Sequence, residues 1–122
     1  MIKNAKSSVN LVTTENGLVR KSSEFSRVLK KAKENGVKVR IAAPISKNGK
    51  KMLAELSKYA EIRNSDIDAR FMVVDGEDLA FMVMDDKKVH PSYDVGIWVT
   101  TPFFASAVEN LFDLAWKGMK KA

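Results

Sequence analysis

Hydrophobic and polar positions along this chain follow two rhythms, one of period two and one of period 3.6. In "SVNLVTT", Ser8 to Thr14, Val9 and Leu11 fall on one side of a short strand that ends near Thr13, and Val12 helps to bury it. "ENGLVRK" follows as a loop. Phe25, Val28, Leu29 and Ala32 then recur at the i, i+3, i+4, i+7 spacing of a helix with one buried face. Ser22 or Ser23 can cap its first N–H groups, Glu24 suits the positive end of the helix dipole, and Lys30, Lys31 and Lys33 suit the other end. Gly36 supplies a left-handed stop. "VKVRIAA" next alternates Val37, Val39 and Ile41 with Lys38 and Arg40. Strand, helix and strand predict a parallel pair with the crossover helix on one face.

Pro44 and residues 46–49 read as a loop, Met52, Leu53 and Leu56 as a second, shorter helix ending near Tyr59, and "AEIR" as a third short strand. "RFMVVD" and "LAFMVMDD", separated by Gly76, Glu77 and Asp78, predict a hairpin with both faces covered. After the polar loop "HPSYD", the strand "GIWVT" is expected to return to the core. Thr101 and Pro102 then start a helix, the hydroxyl as cap and the proline at the first helical position. This helix, to about Met119, gathers Ser106, Glu109, Asn110, Asp113 and Lys117 on one narrow stripe and is apolar around the rest. That is more apolar surface than one sheet covers, so a partner is expected, with Phe112 and Trp116 as candidate dimer-interface residues. The elements together predict an α/β fold, a central mixed β-sheet flanked by helices, in a single domain over residues 1–122.

Composition narrows the chemistry. The chain has 122 residues, 45% of them hydrophobic, enough for one core. The absence of cysteine excludes disulfides, thiolate nucleophiles and Cys-based zinc sites, and a single histidine argues against a His-rich metal centre, so neither metal nor cofactor is expected. No apolar run reaches the roughly 18 to 20 residues that span a bilayer, and "MIKNAKSS" lacks an apolar signal core, which makes a cytoplasmic protein without membrane contact the expectation. The formal net charge is +6. It suits a polyanionic partner or a generally positive surface. Lys30, Lys31, Lys33, Lys38, Arg40, Lys47, Lys50 and Lys51 lie on adjacent elements and could form a basic face for weak contacts to nucleic-acid phosphates. No aromatic residues interleave them to stack bases, and no helix-turn-helix is visible.

The stretch "DARFMVVDGEDLAF" carries the candidate chemistry. Alternation sends Asp68 and Arg70 to the same side of a strand, with Asp75 in the turn that follows. The order Asp-x-Arg-x-x-x-x-Asp-Gly resembles the phospholipase D superfamily motif His-x-Lys-x-x-x-x-Asp-Gly. In that superfamily the histidine attacks phosphorus and the lysine holds the phosphate oxygens. Here Asp68 and Arg70 stand at those two positions, Asp75 and Gly76 match, and Met82, Val83 and Asp85 stand where a Gly-Ser pair and an Asn normally follow. A carboxylate is a poor nucleophile toward a phosphodiester and repels it, whereas Arg70 can still clamp an anion. His90 sits in a polar loop with no motif around it. No catalysis is therefore expected, with a divergent phosphodiesterase or nuclease as the remaining alternative.

From "KNAKSSVNLVTT" through "ARF-x-VVD" to the apolar closing helix, the chain resembles the effector-sensing domain of archaeal sugar-responsive TrmB-type transcription regulators, a phospholipase D-like half-domain. The resemblance implies a homodimer that senses a ligand without catalysis and meets DNA indirectly, through a separate winged helix-turn-helix domain. The chain has no room for that reader, so a fragment of a longer regulator or a stand-alone sensor is expected. A small anionic or sugar effector would sit at the strand ends, near Asp68, Arg70, Asp75, Thr13, Thr14 and Ser46. Asp68 and Arg70 fit an ordinary cross-strand or interface salt bridge equally well.

Overall fold

The computed structural model describes residues 2–20, 22–67, 69–82 and 95–122. A 3₁₀ turn at Ile2–Asn4 leads into strand β1 (Ser8–Val12), helices α1 (Glu15–Arg20) and α2 (Ser22–Glu34), and strand β2 (Lys38–Ala43). A second 3₁₀ turn, Lys47–Gly49, opens helix α3 (Lys50–Leu56), followed by β3 (Glu61–Asn64), the hairpin β4 (Phe71–Val74) and β5 (Asp78–Met82), β6 (Gly96–Thr100), α4 (Pro102–Lys117) and β7 (Lys120–Lys121). The described strands form one mixed sheet in the order β6-β5-β4-β1-β2-β3-β7. β1, β2 and β3 are parallel neighbours, and β4, β5, β6 and β7 join antiparallel. This is the α/β fold with a mixed sheet flanked by helices that the sequence predicts.

The period-two pattern divides the sheet into two faces. Val9, Val39, Ile41, Ala43, Ile62 and Val74 point to the first face, where Leu18 of α1, Leu29 and Ala32 of α2, and Met52 and Leu56 of α3 complete the main core. Gly36, at φ 78°, takes the left-handed conformation that stops α2 and turns the chain into β2. Residues 15–20, expected as loop, are helical. The Thr14 hydroxyl accepts the Gly17 N–H at 3.0 Å, Glu15 lies in the first turn, and Leu18 is fully buried. One apolar anchor in six residues holds the helix without giving it a readable period.

On the second face a single helix, α4, covers the sheet. Val12 and Ala42 pack against Phe112 and Trp116, and Val73 and Leu79 against Ala105. Beneath the helix lies a polar network. Asn10, 1% exposed, donates to Glu109 Oε1 at 2.8 Å and accepts from Arg40 Nε at 2.8 Å, while Arg40 Nη2 meets Asp113 Oδ1 at 2.5 Å. The Arg40 guanidinium also lies 4.9 Å from the Phe112 ring centroid and 5.5 Å from that of Trp116. The Arg63 guanidinium lies 4.5 Å from the Trp116 ring centroid and donates to the Trp116 carbonyl at 2.6 Å. Cation and ring hold each other where water is scarce.

Three expectations are corrected here. Phe112 and Trp116, expected at a dimer interface, are core residues, 3% and 5% exposed, because Arg40 and Arg63 draw their face of α4 down onto the sheet. The strand "GIWVT" does not return to the core. As β6 it closes one edge of the described sheet, with every residue exposed. Thr101 precedes α4 without a side-chain capping bond, and its carbonyl receives the Ala105 N–H at 2.8 Å. The far end of "LAFMVMDD" and the loop "HPSYD" lie outside the described residues.

Arg40→Ala should cost about 2–4 kcal/mol in urea unfolding, since it leaves Asn10 and Asp113 without their donor and removes the guanidinium from two rings. Lys117→Ala, an exposed residue one turn beyond Asp113 with no hydrogen bond in the network, should stay within about 0.5 kcal/mol. Equal effects of the two variants would show that the network does not pin the helix.

Candidate functional site

The antiparallel register of β1 and β4 pairs Val12 with Phe71, so Thr13 and Arg70 emerge together at one end of the sheet. One row inward on the first face, Leu11, Met72, Ala80 and Trp98 stand side by side across four strands. α2 and α3 pack over β1 to β3, and Leu11 and Met72 border the core beneath them, so the described helices cover this row only in part. The gap is a groove of about 370 Å³ between the strands and α1, closed on the helical side by Gly17, Arg20 and Phe25. Its wall is mostly apolar, and Thr13, Arg20 and Arg70 supply its polar side chains.

The structure brings only part of the expected site together. Thr13 and Arg70 line the groove. Thr14 caps α1 through its hydroxyl. Ser46 lies beyond the end of β2 and binds Glu15: its N–H donates to Oε2 at 2.5 Å and its hydroxyl to Oε1 at 2.7 Å. It also accepts the Asn48 N–H, so it shapes the turn that opens α3. Asp68, His90, Val83 and Asp85 lie outside the described residues.

Asp75 is a correction. It sits at the other end of β4, five residues and about 16 Å along the strand from Arg70. There it fastens the chain entering β1. Its carboxylate accepts the N–H groups of Lys6 at 3.0 Å, Ser7 at 2.8 Å and Ser8 at 3.0 Å, and the Ser7 hydroxyl at 3.0 Å. Asp75 and Gly76 both have positive φ, 56° and 68°, and the Glu77 N–H closes the turn on the Val74 carbonyl at 3.1 Å. An Asp-Gly pair suits such a hairpin turn. A Cβ at Gly76 would also lie 3.0 Å from Glu109 Oε2. The two motif positions that match are thus turn and clamp residues.

Sequence reasoning missed Arg20, Phe25, Met72, Met82 and Trp98 as groove residues. The alternation of β4, β5 and β6 carried the signal for Met72 and Trp98, since a paired register places them on the face of Leu11. Arg20 was hidden by reading α1 as loop. The proposed basic face is also divided. Arg40 is held under α4, Lys38 faces that same side, and Lys33 donates to the Lys58 carbonyl at 2.8 Å, while Lys30, Lys31, Lys47, Lys50 and Lys51 remain exposed around α2 and α3.

Partial burial works to raise the Asp75 pKa, but the N–H groups of Ser8, Ser7 and Lys6 and the Ser7 hydroxyl outweigh it and hold the carboxyl below its ordinary value. A lowered folded pKa means that the stabilisation is present above the unfolded value, about 3.9, and is lost as pH falls through the lower folded one. Asp75→Asn should cost about 1–2 kcal/mol at neutral pH. Its stability should also fall less than that of the wild type as pH drops below about 4. Parallel stability curves for the two proteins in urea across that range would contradict the clamp.

No protein-family model matches the chain, and no curated protein matches its sequence. Its fold is similar to that of TrmBL2, an archaeal chromatin protein whose structure shows a novel mode of DNA binding, with a TM-score of 0.71 and 19% identity over 99% of this chain. The match covers 47% of TrmBL2, so the chain spans about half the length of that protein. No described helix is long and apolar enough to cross a membrane. The likeness is one of fold.

Proposed function

We propose that the chain is a non-catalytic effector-binding and dimerisation domain of a TrmB-like transcription regulator, reaching DNA through a separate DNA-binding domain. The observation that carries this reading is the outer face of α4. Phe103, Phe104, Leu111 and Leu114 are 91%, 55%, 67% and 67% exposed, far from the pattern of a helix that serves only its own core. Beside them on the sheet, Phe81, Ile97 and Val99 are exposed as well. A contiguous apolar surface of this kind marks an interaction site, and burying each large side chain gains about 1–2 kcal/mol.

The groove supports effector binding, because it is concave, mostly apolar and furnished with a few polar groups. The non-catalytic reading rests on chemistry. The nucleophile position of the resembled motif is a carboxylate, Asp68, and the matching Asp75 is engaged by four donors. The similarity to TrmBL2 supports a role connected with DNA.

Sedimentation at tens of micromolar should find a dimer. Leu111→Asp combined with Leu114→Asp should weaken it by at least about a hundredfold with unchanged circular dichroism, because two apolar contacts become buried charges. Phe112→Ala should instead lower the melting temperature. A wild type that sediments as a monomer would remove the dimerisation part of the proposal.

A further inference from the structure

We infer that the groove at the ends of β1 and β4 takes a small amphipathic carboxylate, with an aliphatic or aromatic body and one carboxylate head. This rests on the effector-binding reading above and specifies its ligand. The body is defined by the wall: Leu11, Phe25, Met72, Ala80 and Trp98 present aliphatic and aromatic surface, and Met82 adds a pliable thioether. Trp98 is 59% exposed, an aromatic face without cover from described residues. The volume, about 370 Å³, suits a compact ligand.

The head is defined by charge. Arg20 and Arg70 both line the groove, and no carboxylate is among the described lining residues. Whatever else Arg70 touches, two guanidinium groups bordering one apolar cleft favour a planar oxyanion that accepts their N–H bonds. Thr13, 9% exposed, adds a hydroxyl as a neutral donor. A sugar fits poorly. Its many hydroxyl groups favour acceptors as well as donors, and among the described lining side chains only the Thr13 hydroxyl accepts. A polyol would leave donors unsatisfied against Phe25, Met72 and Trp98.

The two tryptophans make the test direct, because Trp98 lines the groove while Trp116 is buried under α4. The probes are decanoate and 4-phenylbutyrate, with 4-phenylbutyramide, maltose and glucose 6-phosphate for comparison. Melting temperature and tryptophan emission are measured on the full chain. The two carboxylates should raise the melting temperature saturably and shift the emission to the blue, and Trp98→Phe should abolish the spectral response. The amide should bind about tenfold more weakly or worse, as should the acids to Arg20→Ala. Arg20 is exposed, so this variant should keep the wild-type circular dichroism, and Arg70→Lys gives a second, more conservative probe. Equal affinity for acid and amide would overturn the assignment of the head. A Trp98-dependent response to maltose or glucose 6-phosphate alone would overturn the ligand class and leave effector binding standing. No response to any compound would overturn both, while sedimentation still decides dimerisation separately.

Discussion

The guanidinium of Arg40 sets the orientation of everything on the second face of the sheet. It projects from β2 among apolar neighbours, so it needs partners that remain fixed, and it finds Asn10 on the adjacent strand and Asp113 on α4. Asn10 in turn reaches Glu109. Two carboxylates one turn apart on the helix are thereby tied to the sheet, and Phe112 and Trp116 follow them inward. A half-buried cation whose partners sit on different elements is more demanding of geometry than an apolar contact. Rotation of α4 by one residue would separate Asp113 from Arg40 and Glu109 from Asn10. The outward face of the helix is therefore a consequence of the polar network beneath it.

An unequal distribution of helices produces the groove. α1, α2 and α3 gather over the parallel strands and reach Val74 and Met72 of β4, and β5 and β6 extend the sheet beyond them. The partly covered row of Leu11, Met72, Ala80 and Trp98 is the result. At the opposite end of β1 and β4, the Asp75 clamp holds the register of the same two strands. One strand pair thus carries an apolar groove at one end and its own fastening at the other.

Much of this architecture was legible in the sequence, and the failures have physical causes. Phe25, Val28, Leu29 and Ala32 announced α2, and the alternation in "VKVRIAA" announced β2, because each element has one wet face and one dry face. α4 offered no such contrast. It is apolar around most of its circumference, so its pattern allowed several faces to point inward, and the decision came from Arg40 and Arg63 on distant strands. The motif resemblance gathered Arg70 and Asp75 into one site although a strand rise of about 3.3 Å per residue separates them along β4. The Asp-Gly pair was legible as a turn, and that reading describes the role of Asp75 better than the motif does. β7 is two residues long and leaves no periodicity to find.

The two edges of the described sheet differ in kind. β7 ends one side with Lys120 and Lys121, a short strand whose ammonium groups repel a second copy of themselves. β6 ends the other with Ile97, Trp98 and Val99 and carries no charge along its length. Edge-to-edge growth of a sheet into a fibril requires two adhesive margins on every subunit, so that each addition exposes a fresh one. A molecule with one such margin closes on its first encounter. Joined through β6 about a two-fold axis, two copies would present lysines at both outer rims, and the same asymmetry that permits pairing would bring polymerisation to a halt.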